Sequence, residues 1–161
     1  VLVLGENVVA SYSCEDATSC TGDVASGALL DTSTVGSRTF TVSARDDSGN
    51  VANASRNYRV VYPFSDFAWP ASPKAGESVL FRFSLGGDRG LAVVAAATWS
   101  RVNCEDGTPL GDVSTATGKL TYRSGRYKFL VKTTESWAGS CRQLAVALED
   151  GTTHLATVRF D

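Results

Sequence analysis

Apolar residues recur at every second position in six short runs of the chain. In "RTFTVSA", Phe40, Val42 and Ala44 fall on one face and Thr39, Thr41 and Ser43 on the other, the period of a half-buried strand. The same alternation groups Tyr58, Val60 and Tyr62 in "NYRVVY", Phe81, Phe83 and Leu85 in "LFRFSL", and Tyr127, Phe129 and Val131 in "YKFLVK". It continues through "QLAVALE" (Leu144, Val146, Leu148) and "HLATVRF" (Ala156, Val158, Phe160). Between the runs lie "DDSGN" at 46–50, "GGDRG" at 86–90, "EDGTP" at 105–109, "SGR" at 124–126 and "EDGTT" at 149–153. Their Gly, Asn and Asp content is what tight reversals require. Only "GLAVVAAAT" at 90–98 is ambiguous between helix and strand. Short strands at regular spacing, without helical periodicity, predict an all-β chain of β-sandwiches.

The pattern breaks at "YPFSDFAWPASPKAG", which holds Pro63, Pro70 and Pro73, three of the four prolines. Proline interrupts ladder pairing and stiffens the chain, so this stretch predicts a short Pro/aromatic connector between two modules, 1–62 and 63–161. Phe64, Phe67 and Trp69 within it would be costly in water. They are expected to pack between the modules, in a semi-rigid linker, or to offer a binding surface.

The composition, 43% hydrophobic and 20% charged, is that of a globular chain, and no apolar run approaches the roughly 18 residues that a membrane span needs. Membrane insertion is therefore not expected. A net charge of -2 leaves no broad basic face to neutralise phosphates, which argues against nucleic acid as a partner. The chain opens at Val1 without an initiator Met, which reads as a piece of something longer.

Four cysteines, Cys14, Cys20, Cys104 and Cys141, change the picture more. Zinc would need ligands converging from short knuckles, but Cys104 and Cys141 stand alone and the single histidine, His154, has no ligand-spaced neighbour. A redox pair favours two intervening residues at a helix start, and Cys14 and Cys20 enclose five in a loop context. The expectation is two disulfides in a secreted chain, Cys14 with Cys20 and Cys104 with Cys141, worth about 2 and 4 kcal/mol by loop closure. Pairing across the halves is left open by the sequence.

"LGENVVASYSCEDATSCTG" followed by "GALLDTSTVGSRTFTVSARDDSGNVA" resembles the Ig-like, HYR-type repeats of bacterial secreted and surface proteins. The second half, with "KAGESVLFRFSLGGDRGL" and "ESWAGSCRQLAVALEDGTTHLATVRF", resembles the actinobacterial module named for a P-x-K-F motif, in which Leu80 here replaces the Pro and Arg82 the Lys. The resemblance implies two tandem Ig-like β-sandwich modules, 1–62 and 63–161, outside the cytoplasm, either secreted or at the cell surface. Such repeats begin with a strand upstream of "LGE", so "VLVL" implies a truncated first strand and an uncovered sheet edge. Either the strand lies upstream, or a neighbouring chain supplies it by β-augmentation, giving a homo-oligomer through the open edge.

Candidate sites are few. Asp46, Asp47 and Asn50 offer the oxygens that calcium prefers, but "DSGN" is equally a hairpin turn. Apart from Ca2+, no cofactor is expected. Trp99, Trp137 and Tyr122 suggest a sugar-stacking platform, yet both tryptophans sit close in sequence to Cys104 and Cys141, where a core role resembles the core tryptophan of Ig domains. His154 lacks the G-x-S-x-G elbow of a triad hydrolase, and Glu105, Asp106, Glu149 and Asp150 come as turn pairs rather than as a facing pair across a cleft. The expected function is a non-catalytic structural or adhesive module whose partners are the neighbouring domains of the parent chain. The alternatives are a subunit of an extracellular filament built by strand complementation, and a polysaccharide-binding accessory to a secreted hydrolase.

Overall fold

The computed structural model describes residues 1–161. The chain divides into two compact units, Val1–Tyr62 and Pro63–Asp161.

In the first unit, β1 (Leu2–Val3), β2 (Ser19–Gly22), β3 (Gly36–Arg45) and β4 (Val51–Val61) form one sheet in the order β1-β4-β3-β2. The long β3–β4 hairpin turns through 46–50, where Gly49 takes φ +87°. Opposite this sheet, a second layer is made by two irregular segments. The Ala10 N–H donates to the Ala28 carbonyl and the Leu30 N–H to the Val8 carbonyl, around an isolated bridge between Val9 and Leu29. Tyr12 ties the layers together, with its ring 5.8 Å from that of Phe40. Its hydroxyl donates to the Val24 carbonyl at 3.0 Å and accepts the Gly22 N–H at 2.8 Å. Gly22 lies so close that a Cβ there would stand 2.8 Å from the Tyr12 ring and 2.9 Å from Phe40. The opening "VLVL" contributes β1, which pairs in parallel with Val60 and Val61 of β4.

The second unit is a two-sheet sandwich. β5 (Ser65–Ala68), β6 (Val79–Ser84), β10 (Arg126–Val131) and β9 (Gly118–Arg123) form one sheet in the order β5-β6-β10-β9. β12 (Thr153–Arg159), β11 (Cys141–Leu148), β7 (Val94–Val102) and β8 (Ser114–Thr115) form the other, in the order β12-β11-β7-β8. In sequence order these are the A-B-E-D and G-F-C-C′ sheets of an immunoglobulin sandwich. The alternating runs supply the core: Val79, Phe81 and Phe83 from β6 and Tyr127, Phe129 and Val131 from β10 face Leu144 and Val146 of β11 and Ala156 and Val158 of β12, all buried. The ambiguous stretch 90–98 resolves into β7, because Ala97 and Trp99 are needed on the inner face of a strand that pairs with β11 from Val94 to Val102.

The expected connector is corrected in one respect. Its central residues are β5, which pairs antiparallel with β6 at Ser65↔Ser84 and Ala68↔Arg82 across an irregularity. Edge position and that irregularity explain why flanking prolines are tolerated.

Candidate functional site

Both disulfides form, Cys14–Cys20 and Cys104–Cys141, and no cysteine is free. Cys104 lies in the turn after β7 and Cys141 begins β11, the neighbouring strand, so this bridge staples two strands of one sheet. In antibody domains the bridge crosses between sheets. Trp99, fully buried in β7, packs edge-on against Phe81 at 5.9 Å, Trp137 at 5.3 Å and Phe160 at 6.0 Å. Its indole N–H has no hydrogen-bond partner. Trp137 closes a single 3-10 turn, Glu135–Trp137, and is half-buried, with the Arg142 guanidinium 4.9 Å above its ring. Arg142 stands directly across from Arg101, and burial, then the neighbouring Arg101 charge, push its pKa below the ordinary value. Tyr122 lies in the other sheet against Tyr127, 4.9 Å away. The three rings considered for sugar stacking therefore share no surface.

Phe64, Phe67 and Trp69 find ring partners within the second unit. Phe64 stacks on His154 with centroids 3.4 Å apart and planes 5° from parallel, and on Phe83 at 5.4 Å. Phe67 lies 6.1 Å from Phe81. Trp69 lies 6.2 Å from Phe81 and donates its indole N–H to the Thr157 carbonyl at 3.2 Å, tying β5 to β12. All three remain half-buried. Trp69 also borders a shallow groove of about 320 Å³ with Pro70, Leu80 and Arg82. Leu80 and Arg82, the positions at which the P-x-K-F pattern is altered, thus point away from the core.

The oxygens proposed for calcium are engaged in the β3–β4 turn. Asp46 accepts both the side-chain and backbone N–H of Asn50, at 2.8 and 2.9 Å. These bonds, the side-chain one first, hold its carboxyl below the usual range. Asp47 accepts the Thr18 hydroxyl at 2.7 Å. Asp106 is occupied in the same way by the N–H and hydroxyl of Thr108, both lowering its pKa. Glu105 and Glu149 are exposed.

His154 and Asp150 do approach each other, through a hydroxyl. Buried Asp150 accepts the Thr152 N–H at 2.8 Å and its hydroxyl at 2.6 Å, and the Thr152 oxygen lies 3.0 Å from His154 Nε2. A catalytic triad needs the acid on the imidazole and the imidazole on a nucleophile. Here the acid holds the turn and the ring lies flat on Phe64. Burial pushes the His154 pKa down, opposed by the Asp150 charge.

Two features were not visible in the sequence. One is the hydroxyl of buried Tyr127, which accepts the Arg89 N–H at 2.6 Å and lies 3.1 Å from the Gly90 carbonyl, pinning the "GGDRG" turn. The other is a groove of about 390 Å³ in the first unit, lined by Val9, Ala10, Tyr12, Leu30, Phe40 and Ala54 among others. It opens beside β4, and its lining comes from segments far apart in sequence.

No protein-family model matches the chain, and no curated protein matches it. Among solved structures it is similar to a chimeric titin Z1Z2-Z1Z2 tandem functionalized with a GRGDS exogenous peptide from fibronectin, at 18% identity and a TM-score of 0.30, over 77% of this chain and 63% of that one. It is also similar to the titin domains Z1Z2 in complex with telethonin, at 12% identity and a TM-score of 0.26, over 99% of this chain and 90% of that one. The chain spans less than two thirds of the first of these, and likenesses at this level support no statement about function.

Proposed function

We propose that the protein is a non-catalytic structural module, part of a secreted or cell-surface bacterial protein, in which two stapled sandwiches in series carry the neighbouring domains of the parent chain. One observation carries this reading: the side chains that chemistry would use are engaged in the fold. Asp46, Asp106 and Asp150 hold turns, His154 is stacked on Phe64, and Trp99 fills the core. The two disulfides suit an oxidising compartment, where they resist unfolding and proteolysis.

Stretching the chain within a polyprotein tests it. The second unit should unfold in one discrete step while Cys104–Cys141 is intact. Reduction should lengthen that step by about 13 nm, from the 37-residue separation that the bridge closes. Extension at low force without a step would sink the structural reading.

The half-buried Trp69, beside Arg82 in its groove, favours a second reading as a polysaccharide-binding accessory. Saturable quenching of tryptophan fluorescence by a polysaccharide, abolished in Trp69→Ala, would establish it in place of the first.

A further inference from the structure

The outer face of the β5-β6-β10-β9 sheet is basic. Strands β6, β9 and β10 bear Arg82, Lys119, Arg123, Arg126 and Lys128, and no carboxylate. All five have the parity opposite to the buried Phe81, Phe83, Tyr127 and Phe129, so they stand on one side of the sheet. The ladders set Arg82 across from Lys128 and Arg123 across from Arg126, about 5 Å apart at Cβ, and like charges so placed are destabilising. Asp66 of β5 offsets Arg126 at 3.2 Å. The other four cations form no ion pair.

Contrary to expectation, a net charge of -2 does not preclude a broad basic face. Strand alternation gathers these cations on one side, while Asp88, Glu105, Asp106, Glu149 and Asp150 lie in turns and loops. The centre of the other sheet's outer face carries Thr98, Gln143, Ala145 and Thr157, without a charge. The segregation is therefore particular to one side of the sandwich.

From Arg123 to Lys119 the band runs four residues along β9, about 13 Å, and it crosses three strands. On its β5 side lies the groove where Trp69 and Pro70 meet Leu80 and Arg82. The hydrogen bond from the Trp69 indole to the Thr157 carbonyl fixes that ring at the border of the band. Unpaired cations in a row suit a polymer of repeating anions, and a guanidinium takes a carboxylate in bidentate fashion. An indole beside them suits the C–H face of a sugar ring. Single-stranded nucleic acid instead stacks on successive aromatics, and this face has one, at its edge. The two disulfides also suit a compartment outside the cytoplasm.

We infer that this face binds an acidic polysaccharide, a polymer of carboxylated sugars, through Arg82, Lys119, Arg123 and Lys128, with one sugar ring against Trp69. The inference rests on the polysaccharide-binding reading above and names the class of polymer.

Binding of the 161-residue chain to immobilised alginate, dextran and oligothymidylate, measured over a range of salt, tests it. Alginate affinity should fall linearly with salt on logarithmic axes, and dextran should not bind. Arg82→Gln combined with Lys128→Gln should weaken alginate binding at least about tenfold and flatten its salt dependence. The same variant should keep or raise the denaturant midpoint of the second unit, since a like-charge pair is removed. Arg56→Gln combined with Arg59→Gln makes the same change of net charge in the first unit and should leave binding unchanged. Equal losses in the two double variants would reduce the effect to net charge and overturn the proposal. So would oligothymidylate binding more tightly than alginate at equal salt. Dextran bound as well as alginate, without salt dependence, overturns the proposal and keeps the polysaccharide reading. Binding to none of the three polymers overturns both.

Discussion

Strand β6 of the second unit buries every second side chain, with Val79, Phe81 and Phe83 at or near zero exposure, whereas β4 of the first unit leaves every side chain from Val51 to Asn57 exposed. The difference lies in what faces each strand. Opposite β6 stands a complete second sheet. Opposite β4 stand two irregular segments held by a few backbone bonds and by Tyr12. Alternation in a sequence marks which side chains a strand can bury, and a second layer decides whether it does. The second unit should therefore dominate stability, and all three tryptophans lie within it, so tryptophan fluorescence reports on that unit alone.

The largest expected effect is Trp99→Ala. It empties the centre of the aromatic cluster and should cost about 3–5 kcal/mol, read as a fall in the denaturant midpoint of the fluorescence transition. Phe40→Ala in the first unit, where the ring is half-buried, should cost about 2 kcal/mol and leave that transition in place. Equal costs would erase the contrast. Trp99→Phe sharpens it, because the smaller ring loses contacts but also removes the unpartnered indole N–H.

The disulfides come next. Replacing Cys104 and Cys141 together by alanine should cost the second unit about 4 kcal/mol, and replacing Cys14 and Cys20 should cost the first about 2 kcal/mol. The order follows from separations of 37 and 6 residues. A reversed order would mean that native contacts around the short bridge, not loop closure, set its worth.

Two substitutions with smaller effects probe how each unit is tied. Tyr127→Phe leaves the part-buried Arg89 N–H without its acceptor and should cost about 1 kcal/mol. Gly22→Ala pushes a methyl into the Tyr12 and Phe40 rings and should cost about 1–3 kcal/mol, in the first unit only. Tyrosine fluorescence against tryptophan fluorescence separates the two.

The six alternating runs were legible by their apolar contrast: four face the complete second layer of the second unit, and the two of the first unit, in β3 and at the end of β4, have only the irregular segments and the Tyr12 ring opposite them. β2, β8 and β9 were not, since "SCTG", "ST" and "GKLTYR" carry little apolar contrast and are strands only because a neighbour pairs with them. The first half of β4, "VANASRN", was missed for the same reason. β5 was hidden by its prolines. Among candidate site residues, the bridges and the buried Trp99 could be read from spacing. The stack of Phe64 on His154 could not, because it joins residues ninety positions apart through the strand order of the sandwich.

That stack gives the smallest effect and the most specific one. The folded-state pKa of His154 is lowered from 6.5 by burial, so the folded protein binds this proton less readily than the unfolded chain. The neutral ring's contribution to stability is present above 6.5 and is lost as pH falls through the unfolded pKa toward the folded one. The denaturant midpoint of the second unit should therefore decline on mild acidification, and His154→Gln should flatten that decline while lowering the midpoint at neutral pH through loss of the stack. Asp31, Asp46 and Asp106 have folded pKa values below 3.8. Their contributions persist until pH drops beneath that value, in a separate acid window. A His154→Gln protein with an unchanged slope above pH 5 would assign the mild-acid decline to another group.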